Sequence, residues 1–141
     1  MTHARRARIA IAAMLDHPEA LRTPVPSVKA ARAALRPLGA LSREARAWEG
    51  ATTARELVAV AVRDAIADAF HLGRTYALSP QDLGQLHLVR LSGRPFPDEA
   101  TERAAALACY VGNLRRLADA YGLCEDHLVD SAEEVYKHEI A

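Results

Sequence analysis

Asp64, Asp68 and His71 fall at i, i+4 and i+7, and on an α-helix that spacing puts them on one face. Two carboxylates at i, i+4 repel by a few tenths of a kcal/mol unless something positive sits between them. A metal ion or an arginine from another helix would serve. Asp130, Glu134 and His138 form a second such stripe, with Asp126 and Glu133 close by. Facing stripes of carboxylates and histidines on antiparallel helices are how bundle metal sites are built, and a divalent ion held by oxygens there could serve phosphate chemistry. The candidate metal ligands are therefore Asp64, Asp68 and His71, and Asp130, Glu134 and His138. The plainer alternative is two solvated faces, because acidic surfaces are ordinary.

No complete catalytic motif accompanies them, and no catalytic or organic cofactor-binding residue is assigned. The chain has no glycine-rich phosphate loop, no Gly-x-Ser-x-Gly elbow, no His-Glu-x-x-His and no clustered Cys/His spacing. Cys109 lies in an apolar pattern, whereas Cys124 falls in a turn near His127. Trp48, the lone tryptophan, reads as a packing or interface anchor.

The elements that must carry these residues are helical. A first helix is expected from His3 to Asp16, ending before Pro18 because the residue before a proline is driven out of the α region. An extended connector over 21–26, a helix from Ser27 to Leu38 and a short helical piece from Leu41 to Trp48 follow. Thr53-Ala-Arg-Glu56 has the form of a capping box and opens a long central helix to about Arg74, with Leu57, Val58, Val62, Ala65, Ile66, Ala69 and Phe70 as its apolar stripe. Ser79 as N-cap and Pro80 at the first helical position start the next helix, which Gly93 and Pro95 to Pro97 end. Gln85 to Leu91 alternates enough to read also as a short strand. A helix from Asp98 to Tyr121 stops at Gly122, and the last runs from Glu125 to Glu139.

Two turns look alike. Tyr76-Ala-Leu-Ser-Pro-Gln-Asp-Leu83 and Tyr121-Gly-Leu-Cys-Glu-Asp-His-Leu128 share Tyr, Leu and Leu at matching places. The expected architecture is thus an all-α bundle of about five to seven helices forming one domain over 1–141. Residues 1–50 form a basic N-terminal helical segment, and residues 53–139 a core of two hairpins, 53–92 and 98–139, packed as a four-helix unit. Common cap chemistry explains the likeness of the turns as well as duplication does.

The stretch from Leu117 to Leu128 resembles the helix–turn–helix join of the all-α NTP pyrophosphatases, the MazG-like family. That resemblance implies a helical hairpin and magnesium-dependent hydrolysis of nucleoside triphosphates. The family's paired carboxylates are not matched, since the corresponding places fall near Ala106 and Cys109. The resemblance therefore implies architecture alone. A second resemblance is to helix-turn-helix DNA-binding domains, through Leu78 to Leu83 and Arg90 to Pro97. It implies phosphate contacts from Arg90 and Arg94, but Gly84 to Val89 is too short for a full recognition helix.

Half of the 141 residues are apolar and only 5% aromatic, so the core must be made of Ala, Leu and Val, a helical composition. Eighteen basic and eighteen acidic residues balance, which argues against a dedicated nucleic-acid or membrane-surface protein. Residues 1–60 nevertheless hold ten basic and five acidic side chains, a net of +5, and residues 61–141 hold eight and thirteen, a net of −5. Opposite-signed halves can attract within a chain or between chains. The first expectation is therefore a cytoplasmic protein acting by binding a protein partner or itself, as a homo-oligomer, without catalysis. The alternatives are a divalent-metal hydrolase of a phosphate-containing small molecule and an atypical DNA-binding regulator. The first fifteen residues resemble a signal peptide only superficially, because the apolar run is seven residues long and is cut by Asp16-His17-Pro18.

Overall fold

The computed structural model of the chain describes residues 2–16, 53–83 and 99–141. Four helices lie within them: α1 (His3–Asp16), α2 (Ala54–Thr75), α3 (Glu99–Ala120) and α4 (Glu125–Ile140). The chain is helical again over 80–83, and no strand occurs among the described residues. The expected helix over 27–38, the piece at Leu41 to Trp48 and the ambiguous stretch from Gln85 to Leu91 lie outside them, as does the DNA-binding element ending at Pro97. Among the described residues no helix is long and apolar enough to cross a membrane.

The helix starts are set by side-chain chemistry. The Thr53 hydroxyl accepts from the Glu56 amide at 3.2 Å, satisfying one of the amides that a first turn leaves free. The Ser79 hydroxyl accepts from the Asp82 amide at 3.1 Å, and Asp82 returns the bond by accepting from the Ser79 amide at 2.9 Å. The resulting box is closed by aspartate rather than glutamate.

The two similar turns have the same backbone. The Leu78 amide reaches back to the Gly73 carbonyl at 2.9 Å as the Leu123 amide reaches back to that of Ala118 at 3.0 Å. The residue at the bend is left-handed in both, Ala77 at φ 59° and Gly122 at φ 71°, the usual helix stop. Arg55 in the first turn of α2 donates to the Gly122 carbonyl at 3.0 Å, which ties the opening of one hairpin to the bend of the other.

Helix α2 is central and touches α1, α3 and α4. Its stripe from Leu57 to Leu72 is buried against Leu107, Leu114 and Leu117 of α3 and Leu128, Ala132 and Tyr136 of α4. Among the α1 residues whose burial is described, Ala7 and Ala10 are fully buried. Small side chains let helices approach closely but remove little area from water, so each contributes far less than the 1.5–3 kcal/mol of a buried leucine.

Candidate functional site

The face of α2 that begins with Asp64 does not stay at the surface. Asp68 is only 2% exposed, the one buried charged residue among those described. Its position is in phase with Ala61, Ala65 and Leu72 of the apolar stripe, so the rotation that buries the stripe carries the carboxylate inward. Helix α1 answers it. Nδ1 of His3 lies 2.8 Å from Oδ1 of Asp68, and Nη2 of Arg6, one turn along α1, donates to the same oxygen at 3.1 Å. The arginine that could relieve the Asp64/Asp68 repulsion is thus Arg6 for Asp68, while Asp64 accepts from its neighbour Arg63 at 3.0 Å.

Burial pushes the Asp68 carboxyl up to about 6, against the opposing pull of Arg6 and His3. Desolvation penalises the charged form and the cation favours it, and here the first effect is larger. The second oxygen, Oδ2, is buried with no hydrogen-bond partner among the described residues, and so is the hydroxyl of Tyr110. Burial raises the Tyr110 phenol far above its ordinary range, and the Asp68 charge raises it further.

The His3 ring continues outward from Asp68. Its other nitrogen, Nε2, is 2.6 Å from Oε2 of Glu139 near the end of α4. Nε2 of His71 is 3.3 Å from the other oxygen, Oε1, of the same carboxylate. The two imidazoles stack with centroids 4.3 Å apart and planes 12° from parallel. Tyr136, one turn before Glu139, sets its ring edge-on to His71 at 5.0 Å and to Phe70 at 5.8 Å, and these contacts fix both side chains. Burial lowers the affinity of His71 for a proton, with the Glu139 hydrogen bond acting the other way. A neutral imidazole has a free lone pair for a metal or a proton.

One ligand atom each from His3, His71 and Glu139 lies within 4.8 Å of the others. They come from α1, α2 and α4, so the set exists only in the packed bundle. Two of the six residues expected from the sequence, Asp68 and His71, belong to this cluster, Asp68 as the inner neighbour of His3. Asp130, Glu134 and His138 are on the exposed side of α4. Glu134 and His138 line, with Val135 and Glu139, an open pocket of about 440 Å3 beside the cluster. The ion expected from the sequence was to be held by oxygens, whereas this cluster offers two imidazole nitrogens and one carboxylate. Cys124 is exposed and forms no disulfide among the described residues.

His3 and Glu139 were not singled out from the sequence, because they stand 136 positions apart by subtraction and each sits among other polar residues at a helix end. One signal was available for Glu139. It is in phase with Ala132 and Tyr136, the buried face of α4, where a carboxylate needs a partner. Comparison of the chain with protein-family models, with curated proteins and with solved structures gives no match.

Proposed function

We propose that this protein binds a divalent transition-metal ion of the zinc class through Nε2 of His3, Nε2 of His71 and the carboxylate of Glu139. The observation that carries the reading is the convergence of these three groups from three helices, all within 4.8 Å of one another. Tetrahedral zinc with bonds of about 2.0–2.1 Å holds its ligand atoms roughly 3.3 Å apart. The His71–Glu139 separation of 3.3 Å already has that value, and the His3–Glu139 separation of 2.6 Å must open to it. The stacked rings must turn for both Nε2 lone pairs to point at one ion. Two imidazoles and one carboxylate favour zinc, cobalt or nickel over magnesium and calcium, which prefer oxygen ligands.

Such an ion would tie α1 to the central and C-terminal helices. Three protein ligands also leave a coordination position for water, the arrangement that makes a metal-bound hydroxide near neutral pH. His3 and Glu139 are 37% and 27% exposed at their side chains, so that position would face solvent. Metal-dependent hydrolysis, the enzymatic alternative drawn from the sequence, is therefore the second reading. Cleavage of a chromogenic phosphodiester by zinc-loaded protein but not by His71→Ala would support it, and equal rates in the two would dismiss it. Binding of a protein partner or of a second copy, the first expectation from the opposite-signed halves, is a separate reading that light scattering of the full chain across salt concentrations tests.

A ligand that binds only the folded state raises its stability, by about 2.7 kcal/mol at a concentration one hundred times Kd. Zinc should raise the melting temperature of the wild type, magnesium should not, and His71→Ala should cancel the zinc effect. No shift with zinc, cobalt or nickel, or an equal shift in His71→Ala, overturns the reading.

A further inference from the structure

A neutral imidazole that gives Nε2 to a metal must carry its proton on Nδ1. In His3 that nitrogen faces two groups at once. Oδ1 of Asp68 is 2.8 Å away and Nη2 of Arg6 is also 2.8 Å away. Nδ1 cannot accept a proton from arginine and donate one to aspartate at the same time. Donation from Nδ1 to Asp68, with Arg6 donating to the same Oδ1 at 3.1 Å, is the pattern that leaves Nε2 open.

With an ion on Nε2, His3 carries its proton on Nδ1, Asp68 accepts it at 2.8 Å, and Arg6 donates to the same carboxylate oxygen at 3.1 Å. Carboxylates that accept from the far nitrogen of a ligating histidine fix its tautomer and ring orientation.

We propose that Asp68 is the positioning residue of the metal site, accepting the Nδ1 proton of His3 so that Nε2 is presented to the ion. The inference rests on the metal-binding reading above. Three features of Asp68 suit the role. It is buried, so its charge is not diluted by water. Arg6 counters that charge from the same helix as His3, which keeps donor and acceptor in register. Its Oδ1 takes both the His3 and the Arg6 contacts, so the carboxylate is already aimed at the far nitrogen of the ligand.

The test uses the full chain with zinc chloride as the probe. Long-range ¹⁵N–¹H spectra should show His3 protonated at Nδ1 and ligating through Nε2 after one equivalent of zinc. Asp68→Asn, checked for native helicity, should raise the zinc Kd about 10- to 100-fold with the stoichiometry still one. His71→Ala should abolish binding. Zinc bound through Nδ1 of His3, or an Asp68→Asn affinity within twofold of wild type, overturns the positioning role and leaves the metal site standing. Absence of zinc binding by the wild type overturns both. The tautomer is read on the wild type, so the role of Asp68 is decided even if the variant folds poorly.

Discussion

Replacing Asp68 by asparagine removes a titrating group from the bundle while nearly keeping its shape, and the consequence is a change in how stability depends on pH. In metal-free protein the Asp68 carboxyl is raised by burial from 3.8 to about 6. Between those values the folded chain holds a proton that the unfolded chain has lost, so stability falls as pH rises. The contribution is fully present below 3.8 and gone once pH has passed through 6. Each pKa unit is about 1.4 kcal/mol, so the loss is roughly 3 kcal/mol, and the near-complete burial of the side chain requires no discount for solvent screening. Asparagine has no such loss. Measured by urea unfolding with chelator present, Asp68→Asn should therefore gain about 3 kcal/mol on wild type between pH 3.5 and 6.5, with equal denaturant slopes. Arg6 and His3 face the carboxylate directly, and His3 connects it to Glu139. His71, whose proton affinity is lowered, costs stability as pH falls, but it does so in both proteins. Two stability curves that stay parallel across this range would refute the burial argument for Asp68.

Three further outcomes follow from the helices. Ala77 adopts φ 59° at a bend where Gly122 does the same work with glycine, so Ala77→Gly should raise stability by about 1 kcal/mol in thermal unfolding. Phe70 is buried and edge-packed on Tyr136, so Phe70→Ala should cost about 3–5 kcal/mol in urea unfolding. It should also weaken zinc binding, since Tyr136 in turn orients His71. Thr53→Ala deprives the Glu56 amide of its acceptor and should cost about 1 kcal/mol, read by the same unfolding assay.

The helices within the described residues were legible in the sequence because caps and periodicity are local. Thr53 and Ser79 opened helices where their side chains could cap, and Gly122 closed one where a left-handed residue was needed. Asp68 and His71 were also visible, as polar residues one helical face apart. Their surroundings were not. Periodicity gives the angle of a residue around its own helix but not which helix lies against it, so His3, Arg6 and Glu139 could not be assigned to the same place. The sequence also treated Asp64 and Asp68 as equivalent members of one stripe. The 40° by which i and i+4 differ around the helix leaves Asp64 half-buried beside Arg63 and sinks Asp68 into the core. Asp130, Glu134 and His138 read as a match for the first stripe, yet the side of α4 that meets α2 is the adjacent one carrying Ala132, Tyr136 and Glu139.

Calorimetric titration of the full chain with zinc at neutral pH tests the metal-binding account most directly. One ion per chain should bind to the wild type, His3→Ala, His71→Ala and Glu139→Ala should each lose the binding heat, and Glu134→Ala and His138→Ala should keep it. No heat with the wild type, or undiminished binding when His3, His71 and Glu139 are all replaced, would contradict it.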